Sequence, residues 1–314
     1  MPSTILIIGA CGQIGSELTA SLRAKHGNNH IIASDIREPN DQTLLKGPFE
    51  VLDATNIDAI EDVVVHYEVG EIYLMAAMLS ATGEKFPMKA WNLNMNSLFN
   101  VLNLAKEGKI QKVFWPSSIA VFGPSTPQHS TPQTTVMEPT TVYGISKQTG
   151  ERWCEYYHQK YGVDVRSIRY PGLISYKTLP GGGTTDYAID IFHEALKNGH
   201  YECFLSEETE LPMMYMDDAI NATIQIMETA EANINVRSSY NLAAISFTPE
   251  EIAREIKEHL PEFSVSYAPD FRQAIADSWP SSIDDTAAQE DWGWSSTYDL
   301  KKMVQVMIEG LRSD

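Results

Sequence analysis

An α/β fold, a doubly wound parallel sheet with helices on both faces, is what this sequence predicts. Three observations carry the reading. Short apolar runs alternate with amphipathic segments through the first half of the chain. Those runs are almost continuously apolar, as strands covered on both faces are. The first of them leads straight into a glycine-spaced turn that opens a helix.

In chain order the strands are TILIIG (4–9), HIIASD (30–35), the one ahead of Asp53 in FEVLDAT, EIYLMA (71–76), KVFWPSS (112–118) and VDVRSIR (163–169). Between them, Ile14, Leu18 and Leu22 share one helical face, as do Leu98, Val101, Leu102 and Ala105. After Gly172 the rhythm breaks. YKTLPGGGTTDY (176–187) is irregular, and long irregular segments in compact domains are usually functional. A helix then runs through DYAIDIFHEALKNG, with Gly199 as its stop. The tail is acidic and helical from Thr248, which caps TPEEIAREIKEHL with Pro249 in the first turn. The expected division is a sheet domain over 1–172, to which 215–243 returns, and a smaller, mostly C-terminal cap formed by 173–214 and 244–314.

The 314 residues suit one large domain or two intimately joined ones. A net charge of −19 argues against nucleic-acid and anionic-membrane partners, which need basic surface. Cys11, Cys154 and Cys203 are odd in number and scattered, which suits neither a disulfide framework nor a metal site and implies a reducing compartment. His26 and His30 flank a turn, and the eight histidines show no ligand spacing, so no metal is expected. With no leader-like segment and no apolar run of bilayer length, the expectation is a soluble, cytoplasmic protein.

IIGACGQIGSEL places Gly9, Gly12 and Gly15 between strand and helix, with Gln13 and Ile14 at the helix start. The first glycine permits a tight turn, the second lets a pyrophosphate approach, and the third lets helix and strand pack closely. The helix N-terminus then faces the phosphates with its partial positive charge. Asp35, at the end of the next strand, suits the adenosine ribose hydroxyls and repels a 2′-phosphate, which favours NAD over NADP. Arg37 belongs to the same groove but is expected to face solvent. Cys11 reads as a small filler of the turn rather than a reactive thiol. Asp53 and Ala54 lie at the adenine edge, and LMAAM (74–78) brings Leu74, Ala76 and Ala77 past the cofactor. This is a Rossmann-type groove.

VYGISKQ puts Tyr143 and Lys147 four apart, on one helical face. An ammonium beside a phenol stabilises the phenolate, so the Tyr143 pKa is expected to fall toward working pH and make it a base for an alcohol proton. Ser118, at the end of a strand, suits the same substrate oxygen. Together these residues resemble the extended short-chain dehydrogenase/reductase family. The likeness rests on GxxGxxG at Gly9–Gly15, Asp35, the serines before VFG, YxxxK at Tyr143–Lys147, and the later YPG (170–172) and YMDD (215–218). The resemblance implies that Ser118 positions substrate, Tyr143 is the acid–base and Lys147 holds the cofactor ribose, with Tyr170 and Pro171 also at the cofactor. An asparagine of the preceding long helix completes a proton relay in such enzymes. Asn92, Asn94 and Asn96 are available here, and Asn94 is the choice.

Nucleotide-sugar enzymes of that family carry an Arg–Asp pair ahead of the YMDD segment, where Arg grips a diphosphate. Leu211 and Pro212 stand there in this chain, and a buried diphosphate needs a cation. LPMMYM, GGGTTDY and DSWPSSIDDTAAQEDWGW (277–294) instead resemble the branch that oxidises the 3-hydroxyl of L-threonine with NAD. That resemblance implies 2-amino-3-oxobutyrate as product. Leu79, Ser80, Ser118, Tyr143, Gly183, Thr184, Thr185 and Trp279 are the expected substrate contacts, with Asp186 beside them. It also implies a homodimer through the YxxxK helix and the preceding long helix, where Trp153, Tyr156 and Tyr157 offer aromatic area. The rival readings are a nucleotide-sugar epimerase or dehydratase and a non-catalytic NAD sensor. The second class usually lacks the YxxxK pair present here.

Overall fold

The computed structural model describes residues 4–39, 41–177 and 183–313, so positions 178–182 of the expected irregular segment lie outside the described residues. Strands β1 (Thr4–Ile8), β2 (Ile31–Asp35), β3 (Phe49–Val51), β4 (Val69–Leu74), β5 (Lys112–Phe114) and β7 (Asp164–Arg166) form one sheet. Its order is β3-β2-β1-β4-β5-β7, and every pairing in it is parallel. The order reverses between β1 and β4, which leaves a crevice at the carboxyl ends of those strands.

Alternation along β1 explains the two helical layers. Ile5 and Ile7 share a core with Leu18 and Leu22 of α1 (Gln13–His26). Leu6 and Ile8 face the opposite side. There they share a core with Ile60 of α2 (Ile57–His66) and with Leu98, Val101 and Leu102 of α4 (Pro87–Lys106). The short α3 (Ser80–Lys85) leads into α4, and α5 (Val142–Tyr161) packs beside α4.

The run expected over 112–118 is two pieces. Pro116 has no N–H for the ladder, so β5 stops at Phe114 and β6 (Ser117–Ser118) resumes beyond it. The run over 163–169 is also two pieces, β7 and β8 (Ile168–Tyr170), separated at Ser167. β6 and β12 (Tyr240–Asn241) flank β8 in a parallel trio. β9 (Gly172–Ile174) pairs with β11 (Leu211–Tyr215), which also pairs antiparallel with β13 (Ile245–Phe247). β10 (His200–Cys203) pairs with β14 (Ser264–Tyr267).

The other helices are α6 (Tyr187–Asn198), α7 (Met216–Glu228), α8 (Pro249–His259), α9 (Phe271–Ala276), α10 (Thr286–Trp292) and α11 (Leu300–Ser313). α7 packs on α1, and its Ile220 and Ile226 join the core of Ile5 and Ile7. α6, α8 and α11 build a third core around Phe192, Ile252 and Met307. Gly199 ends α6 at φ 67°. Thr248 caps α8 in a reciprocal pair with Glu251. The tail expected to be helical also contains β14, whose partner β10 lies far earlier in the chain, beyond the reach of a local pattern. YMDD sits at the start of α7, where Asp218 accepts the backbone N–H groups of Thr297 and Tyr298. Among the described residues, no helix is long and apolar enough to cross a membrane.

Candidate active site

Two adjoining cavities open at the carboxyl edge of the main sheet, sharing Met75 and Ala77. The first, about 250 Å³, lies between the β1–α1 turn, the end of β2 and the end of β4. Gly9 turns at φ 96°, and a Cβ there would meet the Ala76 backbone nitrogen at 2.5 Å. Gly12 lines the cavity. Gly15 lies behind it, where a Cβ would sit 2.2 Å from the Gly9 carbonyl oxygen. Its role is close packing of α1 on β1 rather than contact with a ligand. Gly15→Ala is therefore expected to destabilise the fold by about 1–3 kcal/mol and to weaken NAD binding. Denaturant unfolding and an NAD titration check this, and wild-type values in both would refute the packing account.

Asp35 is buried, and its carboxylate accepts the Cys11 backbone N–H at 3.0 Å and the Arg37 backbone N–H at 3.2 Å. The Arg37 guanidinium faces solvent, its side chain 71% exposed. Burial, with Asp35 beside it, pushes the Cys11 thiol up to about 11, so it is inert at neutral pH. Asp53 and Ala54 line the same cavity, and Asp53 holds Thr55 by its backbone and hydroxyl. Leu74 does not line it. This side chain points into the core at 1% exposure, and the next residue, Met75, takes the groove position together with Ala76 and Ala77. β4 ends at Leu74, so the groove begins one residue later than expected.

The second cavity, about 160 Å³, brings together segments from seven parts of the chain. Gln13, Ile14, Leu79, Ser80, Ser118, Tyr143, Lys147, Tyr170, Pro171, Gly183, Thr184, Thr185, Asp186 and Trp279 all line it. Pro116, Ser117, Ala120 and Leu173 also line it, and no local pattern marks them as site residues. Their placement depends on the strand break at Pro116 and on the path of β9. Thr141 caps α5 by accepting the Gly144 N–H at 3.0 Å. A Cβ on Gly144 would lie 2.1 Å from the Ala120 carbonyl, so a glycine here lets α5 close on the turn after Ser118. That closure makes the Tyr143–Ser118 hydrogen bond. Ser118 Oγ also accepts the Ala120 N–H at 3.2 Å.

Lys147 donates to the Pro116 carbonyl at 2.5 Å, and its ammonium lies 4.6 Å from the Trp115 ring centre and 5.5 Å from that of Tyr143. The expected fall in the Tyr143 pKa is absent from this arrangement. Burial pushes the phenol up to about 12, with the Ser118 hydrogen bond pulling it back. Burial also brings Lys147 down to about 7, against the upward pull of Cys154 and Glu151. Desolvation leads at both groups, and neither has the other among the causes of its shift.

Asn94 is buried where Asn92 and Asn96 are exposed. It lines neither cavity. Its Oδ1 accepts the Met78 N–H at 2.8 Å and its Nδ2 donates to Ser146 Oγ at 3.1 Å. It therefore braces the strand-end loop against α5, its side-chain hydrogen bonds going to Met78 and Ser146. Trp279 lines the cavity and is also part of the third core, so wall and anchor are the same residue. Tyr170 turns its hydroxyl away to Thr223.

The first cavity fits a dinucleotide. Its turn leaves no room for side chains at Gly9, its acid sits at the end of β2, and it runs on into the second cavity. There, two buried polar atoms on lining residues, Gln13 Nε2 and Thr184 Oγ1, have no hydrogen-bond partner among the described residues. Fold and site together define a dinucleotide-dependent enzyme. Residues 5–243 match the NAD dependent epimerase/dehydratase family, and the chain belongs to that family. NAD is its cofactor.

The chain is 56% identical to an L-threonine dehydrogenase from Cupriavidus necator in its holo form, covering 99% of this chain and 100% of that one with a TM-score of 0.96. It is 48% identical to a monomeric L-threonine 3-dehydrogenase of metagenomic origin, covering 98% and 99% with a TM-score of 0.94. It is also 48% identical to an uncharacterized epimerase/dehydratase of Staphylococcus saprophyticus, over 98% of this chain and 96% of that protein.

Proposed function

We propose that this protein oxidises the 3-hydroxyl of L-threonine to 2-amino-3-oxobutyrate. The observation that carries the reading is the second cavity. It is small, it holds the Ser118–Tyr143–Lys147 set, and among the described residues lining it Lys147 is the one cation. Hydroxyls of Ser80, Ser118, Thr184 and Thr185 line it, which suits the small polar body of an amino acid beside the cofactor. A sugar diphosphate would also require a further cation, and Leu211 lies fully buried in β11. The likeness to two L-threonine dehydrogenases over nearly the whole chain supports the same choice.

When bound, NAD supplies the hydride acceptor. The β1–α1 turn, Asp35 and Asp53 hold its adenosine and phosphate portion, and Lys147 and Tyr170 lie at its far end. Ser118 holds the substrate hydroxyl oxygen, and Tyr143, as phenolate, removes the proton from that oxygen. Ser80, Thr184 and Thr185 bind the amino-acid headgroup, and Trp279 closes the cavity over the methyl group. Asn94 acts by holding the loop and α5 in register rather than by touching substrate. Residues 1–172 with 215–243 form the NAD domain in this proposal, and 173–214 with 244–314 form the substrate cap.

A homodimer through α4 and α5 is part of the same proposal. Trp153 and Tyr156 are exposed on α5 and free to serve it, whereas Tyr157 is buried with its hydroxyl on Asn103. We place the enzyme in the cytoplasm.

The test follows NADH absorbance on mixing the protein with NAD and L-threonine, with D-threonine, L-allo-threonine, L-serine and NADP in parallel. NADH from L-threonine with NAD is the expected result. Folded protein that binds NAD and forms no NADH would overturn the substrate assignment and make sugar nucleotides the next trial.

A further inference from the structure

Behind the catalytic face runs a buried polar chain that lines neither cavity except at Ser117. Glu151, 0% exposed, lies one helical turn beyond Lys147 on α5, and Arg169, 3% exposed, faces it from β8. Arg169 donates from Nε to Glu151 Oε1 at 2.9 Å and from Nη2 to Oε2 at 2.8 Å. The same Oε1 accepts the Ser117 hydroxyl at 2.6 Å. From its other nitrogen, Nη1, Arg169 reaches Asn241 Oδ1 at 2.8 Å and the Gln133 carbonyl at 3.0 Å. Asn241 in turn donates to the carbonyls of Thr131 and Asp284, both at 3.0 Å.

Three parts of the site hang on this chain. Ser117 immediately precedes Ser118. Glu151 and Lys147 share a helical face at a spacing of four. Asp284 belongs to the segment that starts at Trp279, and that segment is further tied by the Thr131 N–H to Ser282 and the Ser281 N–H to Gln128. A buried ion pair is seldom a net gain over apolar packing. What it offers here is direction, because the planar guanidinium fork fixes several partners at set angles in a way an apolar cluster does not.

We propose that Arg169 is a positioning residue, whose guanidinium sets the Ser118–Tyr143–Lys147 group in register with the wall that carries Trp279. The catalytic consequence rests on the threonine-oxidising reading above. The mechanical one does not.

Arg169→Lys tests it, since the charge opposite Glu151 is kept and the fork is lost. The expected result is a fall in kcat of roughly 10–100-fold, the scale of a small misplacement of reacting groups, with NAD affinity unchanged. Without substrate, amide hydrogen exchange should quicken together at 117–122 and 279–285 while α8 keeps its protection. Cutting one end at a time separates the effects. Ser117→Ala lowers kcat and leaves KM for L-threonine near wild type, whereas Asn241→Ala raises that KM and spares kcat. These two variants carry the test should Arg169→Lys not fold. Wild-type kinetics in Arg169→Lys, faster exchange spread evenly over the chain, or identical behaviour of the two end variants would each overturn the proposal. If the wild-type protein forms no NADH from L-threonine, the substrate reading falls and the exchange pattern alone decides.

Discussion

Tyr143→Phe is expected to lower NADH formation from L-threonine by roughly 10²–10⁴-fold, the range a positioned acid–base group supplies, and to leave folding and NAD binding intact. The fold survives because the ring remains and only the hydroxyl is lost. Ser118 keeps its bond from the Ala120 N–H, and Lys147 keeps the Pro116 carbonyl. The chemistry does not survive, because no other lining residue combines that position with a removable proton of suitable acidity. The pH dependence sharpens the test. Burial holds the phenol up to about 12, so the neutral form prevails near pH 7 and oxidation should quicken as pH rises. That alkaline limb belongs to the Tyr143 hydroxyl. The residual rate of the variant should lack it. A variant that retains both the rate and the limb would remove Tyr143 from the mechanism.

Several of these features are legible in the sequence because they depend on local chemistry. Gly9 is tied to a turn that no side chain fits, Asp35 to the end of a strand, and Tyr143 and Lys147 to one face of one helix. The parallel sheet is legible for the same reason, since buried strands advertise themselves as apolar runs. Features that depend on register are not. Leu74 and Met75 are adjacent apolar residues, and only the end of β4 at Leu74 separates core from groove, while Asn92, Asn94 and Asn96 in α4 differ only in burial. Non-local pairing is also hidden, as β10 and β14 show, because the partner of a short strand can lie anywhere. The Glu151–Arg169 pair is an intermediate case. Its glutamate continues the YxxxK spacing by another four residues, a signal within the sequence, but nothing local says that an arginine from β8 will meet it. The direction of the Tyr143 pKa is hidden too, because proximity to a cation is visible in spacing and the enclosure that opposes it is not.

Lys147→Met should produce two opposite effects, a less active enzyme and a more stable one. In the folded protein Lys147 is brought from its ordinary 10.5 down to about 7 by burial. At any pH between those values the unfolded chain binds more protons than the folded one, so wild-type stability rises with pH across that window. Equivalently, burial of the ammonium costs stability most fully at pH 7 and below, and the cost fades as pH approaches 10.5. A tenfold change in proton affinity corresponds to about 1.4 kcal/mol, so the gross penalty near pH 7 is on the order of 4 kcal/mol. Methionine escapes that penalty with a side chain of similar shape, but it leaves the Pro116 carbonyl without its donor, which costs about 1–3 kcal/mol. The expected net gain is about 1–3 kcal/mol near pH 7, shrinking toward zero at high pH. Over the same variant NADH formation should fall roughly a hundredfold, the scale of a small misplacement of reacting groups, since the side chain that would hold the NAD ribose beside Tyr143 is then lost. Denaturant unfolding at pH 6, 7.5 and 9 beside a rate measurement at each pH decides it. A variant less stable than wild type at pH 6 would mean that the Pro116 and Trp115 contacts of Lys147 outweigh its desolvation. Lys147 would then be a structural anchor as much as a catalytic one. The expected outcome places it instead among groups held against their own solvation for the sake of the reaction.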